Sequence, residues 1–502
     1  MLSAAAAGIA AWTLDAGARL SVSAPARRHG AQSAPASILD LPSAEAWCTA
    51  RGVQPAHLST VYRHLFRREG ALHAAPLHAA GLPKEAAAGL CEAFVGVTSR
   101  VVETVHSVGG LKLVVELASG RRVETVLILH DHVSSGKQRC TVCVSSQVGC
   151  GRGCTFCATG TMGVQAQLSS AEILEQVWHA RQALKEAGSA VAIRNVVFMG
   201  MGEPLDNLDE VLHALRGLTH QALFDLAAKH LTVSTVGASA AQIRSLADAA
   251  PRVKLALSLH GASQEVRQAL IPSAAPFAEL DEALDYHART TGQGLCVEYL
   301  LIDGVNDAPA HAHDLVGWCA ERERAGGAAA FVNLIPYNPT SAGELRGYAT
   351  PPEEKVAAFH AQLRASGLSA LVRWTSASGR DANGACGQLV VEAPPPPPPS
   401  LRPEAEGREE TEGEDSWVGR RVAAEGRSFA RRREGAREAR VRGWAEEAAK
   451  RRSAEWAASD PRPPPSSSPP PPRPRGGAER RSGRLEMRLG EAGEAGEAGE
   501  AG

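Results

Sequence analysis

The stretch Cys150-Gly151-Arg152-Gly153-Cys154-Thr155-Phe156-Cys157 constrains this chain more than any other. Three cysteines at spacings of four and three sit in a glycine-rich loop, so their thiolates can converge on one small volume. An iron–sulfur cube carries four irons, normally held by thiolates. Three thiolates leave one iron without a protein ligand, and an open coordination position marks a site for chemistry rather than for structure. A zinc knuckle or an ordinary ferredoxin loop would show a fourth ligand close by. The chain has ten cysteines, five of them between Cys140 and Cys157, a bunching that suits a metal site in a reducing compartment better than a disulfide framework.

A Cys-x3-Cys-x2-Cys loop resembles the signature of the radical S-adenosylmethionine (SAM) superfamily. That resemblance implies a [4Fe-4S] cluster on Cys150, Cys154 and Cys157, with SAM chelated by the open iron and cleaved to a 5′-deoxyadenosyl radical.

The 502 residues and their formal net charge of −2 leave room for a large core and point to no partner. No run of about twenty apolar residues occurs, so no membrane span is expected. Residues 1–38 are rich in Ala and Ser, with Arg19, Arg27 and Arg28 against the single acid Asp15. This composition fits a transit peptide or a disordered leader, and the site of action is a chloroplast or other organelle in the first case and the cytoplasm in the second. Residues 39–120 read as an accessory module of helices and a hairpin. Leu58, Val61, Tyr62 and Leu65 recur at helical spacing, with Arg63, Arg67 and Arg68 on other faces. A second helix is predicted from Lys84 to Phe94, and Ser107–Val126 alternates like a hairpin turning at Ser119-Gly120. The clustered arginines suit RNA phosphates or the solvated side of a cap on the main domain.

Residues 121–393 form the predicted core. A helix is expected from Ser169-Ser170 to Lys185, opened by a serine cap with Glu172 in its first turn. Short apolar strands follow at Val196–Met199, Leu231–Ser234, Leu255–Leu259, Val297–Ile302 and Phe331–Ile335, with helices between them. The pattern predicts an α/β fold, a parallel sheet covered on both faces that closes as a partial (β/α)6 barrel with its active residues at the strand C-terminal ends. Met199-Gly200-Met201-Gly202-Glu203-Pro204, Ser234, Ser258-Leu259-His260, and Asn333 and Asn338 fall there. Residues 394–502 open on a proline run and continue in Arg, Glu, Ala and Gly with nearly balanced charge. They are expected to be a disordered tail, with a charge-paired helix at Glu425–Ala457.

Cys143 and Cys386 stand outside the trio. Singly, each reads as a buried small hydrophobe, and Cys140-x-x-Cys143 also has the spacing of a redox or zinc pair. Taken together, CVSSQVGC, the three-cysteine loop, GMGEP, SLH, NLIPYNP and ACGQL resemble the RlmN/Cfr family of radical SAM RNA adenine methyltransferases over residues of about 50 to about 392. The resemblance implies methylation of C2 of an adenine in large-subunit ribosomal RNA, in bacteria also in some tRNAs. A C8 methyltransferase of the Cfr type and a non-catalytic RNA-binding paralogue are the alternatives. It further implies two SAM per turnover and three catalytic residues. Cys386 would carry the methyl, Cys143 would resolve the adduct into a Cys143–Cys386 disulfide, and Glu124 in Val123-Glu124-Thr125-Val126 would accept the ring proton. The stretch from Glu124 to Cys143 is longer than the family pattern, which leaves His130 and Asp131 as substitutes. SAM would lie on Gly202, Glu203, Ser234, Ser258, Leu259, His260 and Asn338. An electron donor such as flavodoxin or ferredoxin and a monomeric state complete the expectation.

Overall fold

The computed structural model describes residues 35–107, 109–130, 138–325, 328–375 and 384–390. The expected leader up to residue 34, Asp131, the tail 394–502 and its helix lie outside them. The strands are β1 (Ala36–Ser37), β2 (Phe94–Val95), β3 (Arg100–Ser107), β4 (Gly110–Glu116), β5 (Arg122–His130), β6 (Arg139–Cys143), β7 (Gln147–Cys150), β8 (Gly163–Gln167), β9 (Ala192–Phe198), β10 (Leu231–Thr235), β11 (Lys254–Ser258), β12 (Gly294–Leu301), β13 (Ala328–Pro336) and β14 (Ser369–Val372). One sheet orders them β14-β13-β12-β11-β10-β9-β6-β5-β4-β3. From β6 to β14 every pairing is parallel; β5, β4 and β3 add antiparallel strands on the other side.

The parallel run is the expected partial barrel, and β14 extends it beyond the six predicted units. The crossovers contain helices, which parallel strands require because the chain must return across the sheet. Helix Ser170–Glu186 begins where the sequence indicated. The Ser169 side chain accepts from the Glu172 N–H, and the Glu172 carboxylate accepts from Ser169, a reciprocal capping box. Ile173, Leu174, Val177 and Leu184 of this helix are buried. Among the described residues, no helix is long and apolar enough to cross a membrane.

Two boundaries differ from the sequence reading. Ala36–Ser37 pair with Phe94–Val95, and Ile38 and Leu39 are wholly buried, so the folded body begins before residue 39. The main sheet also runs through residue 120. β4 and β5 pair across the Ser119-Gly120 turn, and β3, an edge strand with no buried residue, adds a third strand to the hairpin. A hairpin with one buried face needs a neighbour to cover it, and the barrel edge supplies that neighbour through β5–β6.

The N-terminal helices pack onto this body. Leu58, Val61, Tyr62 and Leu65 of helix Leu58–Arg67 join the main core, and Phe66 meets Trp178 edge-on at 4.9 Å. Arg63, Arg67 and Arg68 stay exposed. Glu175, with no solvent exposure, accepts from the Thr98 and Ser99 backbone N–H groups at 2.9 and 2.8 Å and fastens the module's exit to helix Ser170–Glu186.

Candidate active site

Strand register assembles the first part of the site. Glu124 lies opposite Val114, Val126 opposite Lys112, and Val126 opposite Cys143. Directly paired residues share a face, and alternate residues on one strand share it too. Lys112, Glu124, Val126 and Cys143 therefore occupy one face of the sheet. The Lys112 ammonium sits 2.7 Å from Glu124 Oε1, and both side chains are largely buried. Burial pushes the Glu124 carboxyl up; the hydrogen bond and charge of Lys112 oppose it.

The long Glu124–Cys143 stretch does not displace Glu124. The β5–β6 pairing runs from Val126–Cys143 to His130–Arg139, so the added residues fall at the far end of the hairpin. His130 sits at that far end, bonded to Thr141 Oγ1 at 3.1 Å, and is no substitute for Glu124. Cys140 and Cys143, three residues apart on one strand, face opposite sides of the sheet, which excludes them as a dithiol or zinc pair.

The cluster loop follows β7. Cys150, Cys154 and Cys157 line one cavity together with Glu203, Ser234, Ser258, His260 and Cys386. All three thiols are pushed up, chiefly by burial; the charge of Cys157 adds to this at both Cys150 and Cys154. Cys150 reaches about 11. Thiolates that raise one another in a closed space are relieved by a shared cationic group, so this donor set fits an iron–sulfur cluster. Among the described residues no His, Cys, Asp or Glu group is drawn tightly enough for a single metal ion, whereas a cube presents a separate iron to each thiolate.

The strand ends build the other wall. Gly200 and Gly202 let the chain pass close to the β6–β7 connection. A Cβ on Gly200 would stand 2.7 Å from the Val144 carbonyl oxygen, and Gly202 has φ +102° with Gln147 Cβ 2.6 Å from where its own Cβ would be. Glu203 is buried. Its carboxylate accepts from the Val236 N–H at 2.9 Å and the Leu205 N–H at 3.2 Å, while burial pushes its pKa up. Ser234 and Ser258 place their hydroxyls 3.5 Å apart. His260 adopts φ +56°, an uncommon conformation for a ring-bearing residue. Its Nδ1 accepts from the Leu300 N–H at 2.9 Å, so the ring is neutral there; burial holds its pKa down to about 3. Leu259 is buried and does not line the cavity. Asn338 is 2% exposed and, like Leu259, does not line the cavity; its Nδ2 has no hydrogen-bond partner among the described residues. A buried amide without a partner is costly and suits a polar ligand such as SAM. Asn333, by contrast, is spent on protein, donating to Glu298 at 2.8 Å and accepting from Arg373 at 3.2 Å.

Cys386 is brought in from far along the chain by hydrogen bonds to three different elements. The Ala158 N–H donates to the Gly387 carbonyl at 2.8 Å, and Thr159 Oγ1 donates to the Leu389 carbonyl at 2.5 Å. Gln388 Nε2 donates to the Pro339 carbonyl, and the Val390 N–H donates to Glu124 Oε2, both at 2.9 Å. Cys386 faces the open cavity and is exposed to it. Protein atoms close around the sulfur nonetheless push its pKa up to about 11, with Glu298 and Cys157 adding their charge. Cys143 is buried and pushed up as well, chiefly by that burial, with the charge of Cys386 adding to it. Both are free thiols.

Several residues of the site carried no signal in the sequence. Arg267, wholly buried, donates to the Ser258, Leu259 and Val236 carbonyls at 2.9, 2.7 and 2.5 Å and locks two strand ends. Glu298 enters the cavity from β12. Lys112 was legible in principle, because pairing outward from the Ser119-Gly120 turn sets it diagonal to Glu124.

Residues 144–316 match the Radical SAM superfamily. The chain is 42% identical over 282 residues to the ribosomal RNA large subunit methyltransferase N of Nitrosopumilus maritimus, covering 55% of this chain and 76% of that protein. It is 41% identical over 292 residues to the dual-specificity RNA methyltransferase RlmN of Oleidesulfovibrio alaskensis, covering 58% and 77%. A crystal structure of a radical SAM methyltransferase from Sphaerobacter thermophilus superposes with a TM-score of 0.61 at 34% identity, over 71% of this chain and 99% of that one.

Proposed function

Because this chain belongs to the RlmN family of radical SAM RNA methyltransferases, with the [4Fe-4S] cluster and SAM that the superfamily implies, we propose that it methylates C2 of an adenine in large-subunit ribosomal RNA through a methyl carried on Cys386. The observation that carries this reading is the fastening of the Cys386 segment between the three-cysteine loop and Glu124, with Cys143 within electrostatic reach. A plain displacement mechanism needs neither Cys386 nor Cys143, since it passes a methyl directly from SAM to a nucleophile. Adenine C2 is an electron-poor sp² carbon and no nucleophile.

The chain's own groups divide the work as follows. Cys150, Cys154 and Cys157 hold the cluster. When bound, it supplies the electron that cleaves SAM to a 5′-deoxyadenosyl radical. Cys386, as thiolate, attacks the sulfonium methyl of a first SAM and becomes a methyl thioether, a displacement suited to sulfur; a second SAM serves the radical step. Glu203 meets the SAM ammonium from its buried seat, and Ser234, Ser258, His260 and Asn338 position the rest of the cofactor. Glu124 accepts the proton leaving adenine C2, with Lys112 holding that carboxyl ionised. Once the Cys386 methyl carbon, less one hydrogen taken by the 5′-deoxyadenosyl radical, is bonded to adenine C2, Cys143 would attack the Cys386 sulfur and break its bond to that carbon. The carbon would take a proton as the base's new methyl, one electron would return to the iron–sulfur group, and a Cys143–Cys386 disulfide would remain for a reductant to open. The adenine must leave its stack to enter, which costs least in an RNA loop. Our reading includes a monomer fed by a flavodoxin- or ferredoxin-type donor. The site of action is an organelle if the Ala- and Ser-rich stretch before Ala36 acts as a transit peptide, and the cytoplasm otherwise.

Peptide mass spectrometry of Cys386 in anaerobically purified, iron-loaded protein tests the proposal. A methyl on Cys386 is expected. Unmodified Cys386 after exposure to SAM would sink it. Nucleoside analysis of the RNA product then separates C2 from C8 methylation.

A further inference from the structure

A second cleft, distinct from the substrate cavity, borders the three-cysteine loop. Its walls are the loop segments Gly153–Thr155 and Gly160-Thr161 on one side and Ala342, Leu345 and Arg346 on the other. Cys154 is the one residue that lines both this cleft and the cavity holding Glu203, Ser234 and Cys386. The two walls are tied together. Thr340 Oγ1 donates to the Phe156 carbonyl at 2.9 Å, and Gly343 allows the close approach of Tyr337, whose hydroxyl would lie 1.8 Å from a Cβ placed there.

Leu345 is 90% exposed. A single exposed leucine is ordinary; this one borders a cleft that ends on a cluster ligand. Arg346 is also exposed and is the only charged side chain lining the cleft among the described residues. Glu344 is exposed beside it but does not line the cleft. The surface therefore offers an apolar contact and a positive charge at the protein's outer approach to Cys154.

We propose that this cleft is where a small, acidic one-electron donor protein docks. The inference rests on the radical SAM reading, because only that chemistry calls for an electron each time SAM is cleaved. One electron leaves the donor's low-potential cofactor, oxidising it by one unit, and one electron enters the iron–sulfur group held by Cys150, Cys154 and Cys157. No proton or group moves with it. Entry through the Cys154 side leaves the substrate cavity free for SAM and RNA, which a donor approaching from that cavity would block. A small contact with one apolar point and one cation suits the weak, transient encounters of redox partners.

The test uses the full-length, cluster-loaded protein and the variants Arg346→Glu and Leu345→Ser, both at exposed positions. Photoreduced flavodoxin and photoreduced plant-type ferredoxin are the probes, with dithionite as a small-molecule control. Cluster reduction is followed by electron paramagnetic resonance and visible bleaching over a range of donor and salt concentrations. RNA affinity is measured in parallel. Arg346→Glu is expected to slow reduction by the protein donors about ten-fold at low salt and to flatten the salt dependence. Leu345→Ser should slow it several-fold, while dithionite reduction and RNA affinity hold. Unchanged donor rates in both variants would overturn the proposal. So would a wild-type cluster that dithionite reduces and neither donor does, or a loss of RNA affinity with donor rates intact. Failure of dithionite-reduced wild type to cleave SAM would instead count against the proposed function, and the donor rates would still decide the docking site.

Discussion

Glu124 shows how one residue's setting decides its chemistry. Burial raises its pKa, Lys112 at 2.7 Å limits the rise, and the Val390 N–H ties it to the segment that carries Cys386. Glu124→Gln is expected to leave Cys386 methylation intact while slowing methyl transfer to RNA by about 10²–10⁴, the usual contribution of a general base. Single-turnover assays with pre-methylated protein check it. The base works only when ionised, so with a pKa raised above the ordinary glutamate value the transfer rate should fall on acidification earlier than an exposed glutamate would allow. A pH–rate profile of single-turnover transfer reads this directly.

His260 and His287 titrate in the opposite direction. Burial holds them down to about 3 and about 4, against an ordinary value of 6.5. The unfolded chain therefore binds protons that the folded chain refuses. Their contribution to stability is complete above about pH 6.5 and is lost as pH falls toward the folded values. Denaturant titrations at pH 7 and pH 5 should show lower stability at pH 5, and His260→Asn, whose residue type tolerates positive φ, should reduce the difference.

At the scale of elements, the segment 384–390 is held by hydrogen bonds rather than by a strand or helix of its own. Gln388 both accepts from the Ala385 N–H at 3.2 Å and donates to the Pro339 carbonyl. Gln388→Ala removes both bonds at a cost of about 1 kcal/mol each. It is expected to slow Cys386 methylation without lowering iron content, as mass spectrometry and iron assay would show. Helices and strands with strong local patterns were legible in advance. The serine cap at Ser169 and the apolar stripe of Leu58, Val61, Tyr62 and Leu65 lie where the sequence put them, because caps and amphipathic spacing are local signals. The end of the β5–β6 hairpin was not legible in this way. An insertion's effect on Glu124 depends on which end of the hairpin absorbs it, and pairing register alone answers that.

At the scale of the molecule, the N-terminal helices and the barrel share one core. Within the N-terminal module itself, Gly96 marks how closely the segments pack, since a Cβ there would lie 1.7 Å from the Gly70 carbonyl oxygen and 2.7 Å from Leu65 Cδ1. Backbone cannot yield as a side-chain tip can. Gly96→Ala is expected to destabilise the protein by about 2–4 kcal/mol, measured as a lower thermal midpoint in the cluster-loaded chain.

The amino-acid sequence by itself determined the cluster loop and the alternation of strands and helices, because spacing and pattern are properties of the chain read in order; Cys143, Cys386 and Glu124 stood as candidates only through the resemblance to the RlmN/Cfr family. Only the tertiary structure decided that Cys140 turns away from Cys143, that His130 lies at the wrong end of its hairpin, and that Asn333 is occupied while Asn338 is not. It alone brought in Arg267 and Glu298. Those facts rest on register, burial and contacts between residues far apart in sequence, and distance along the chain carries no record of them.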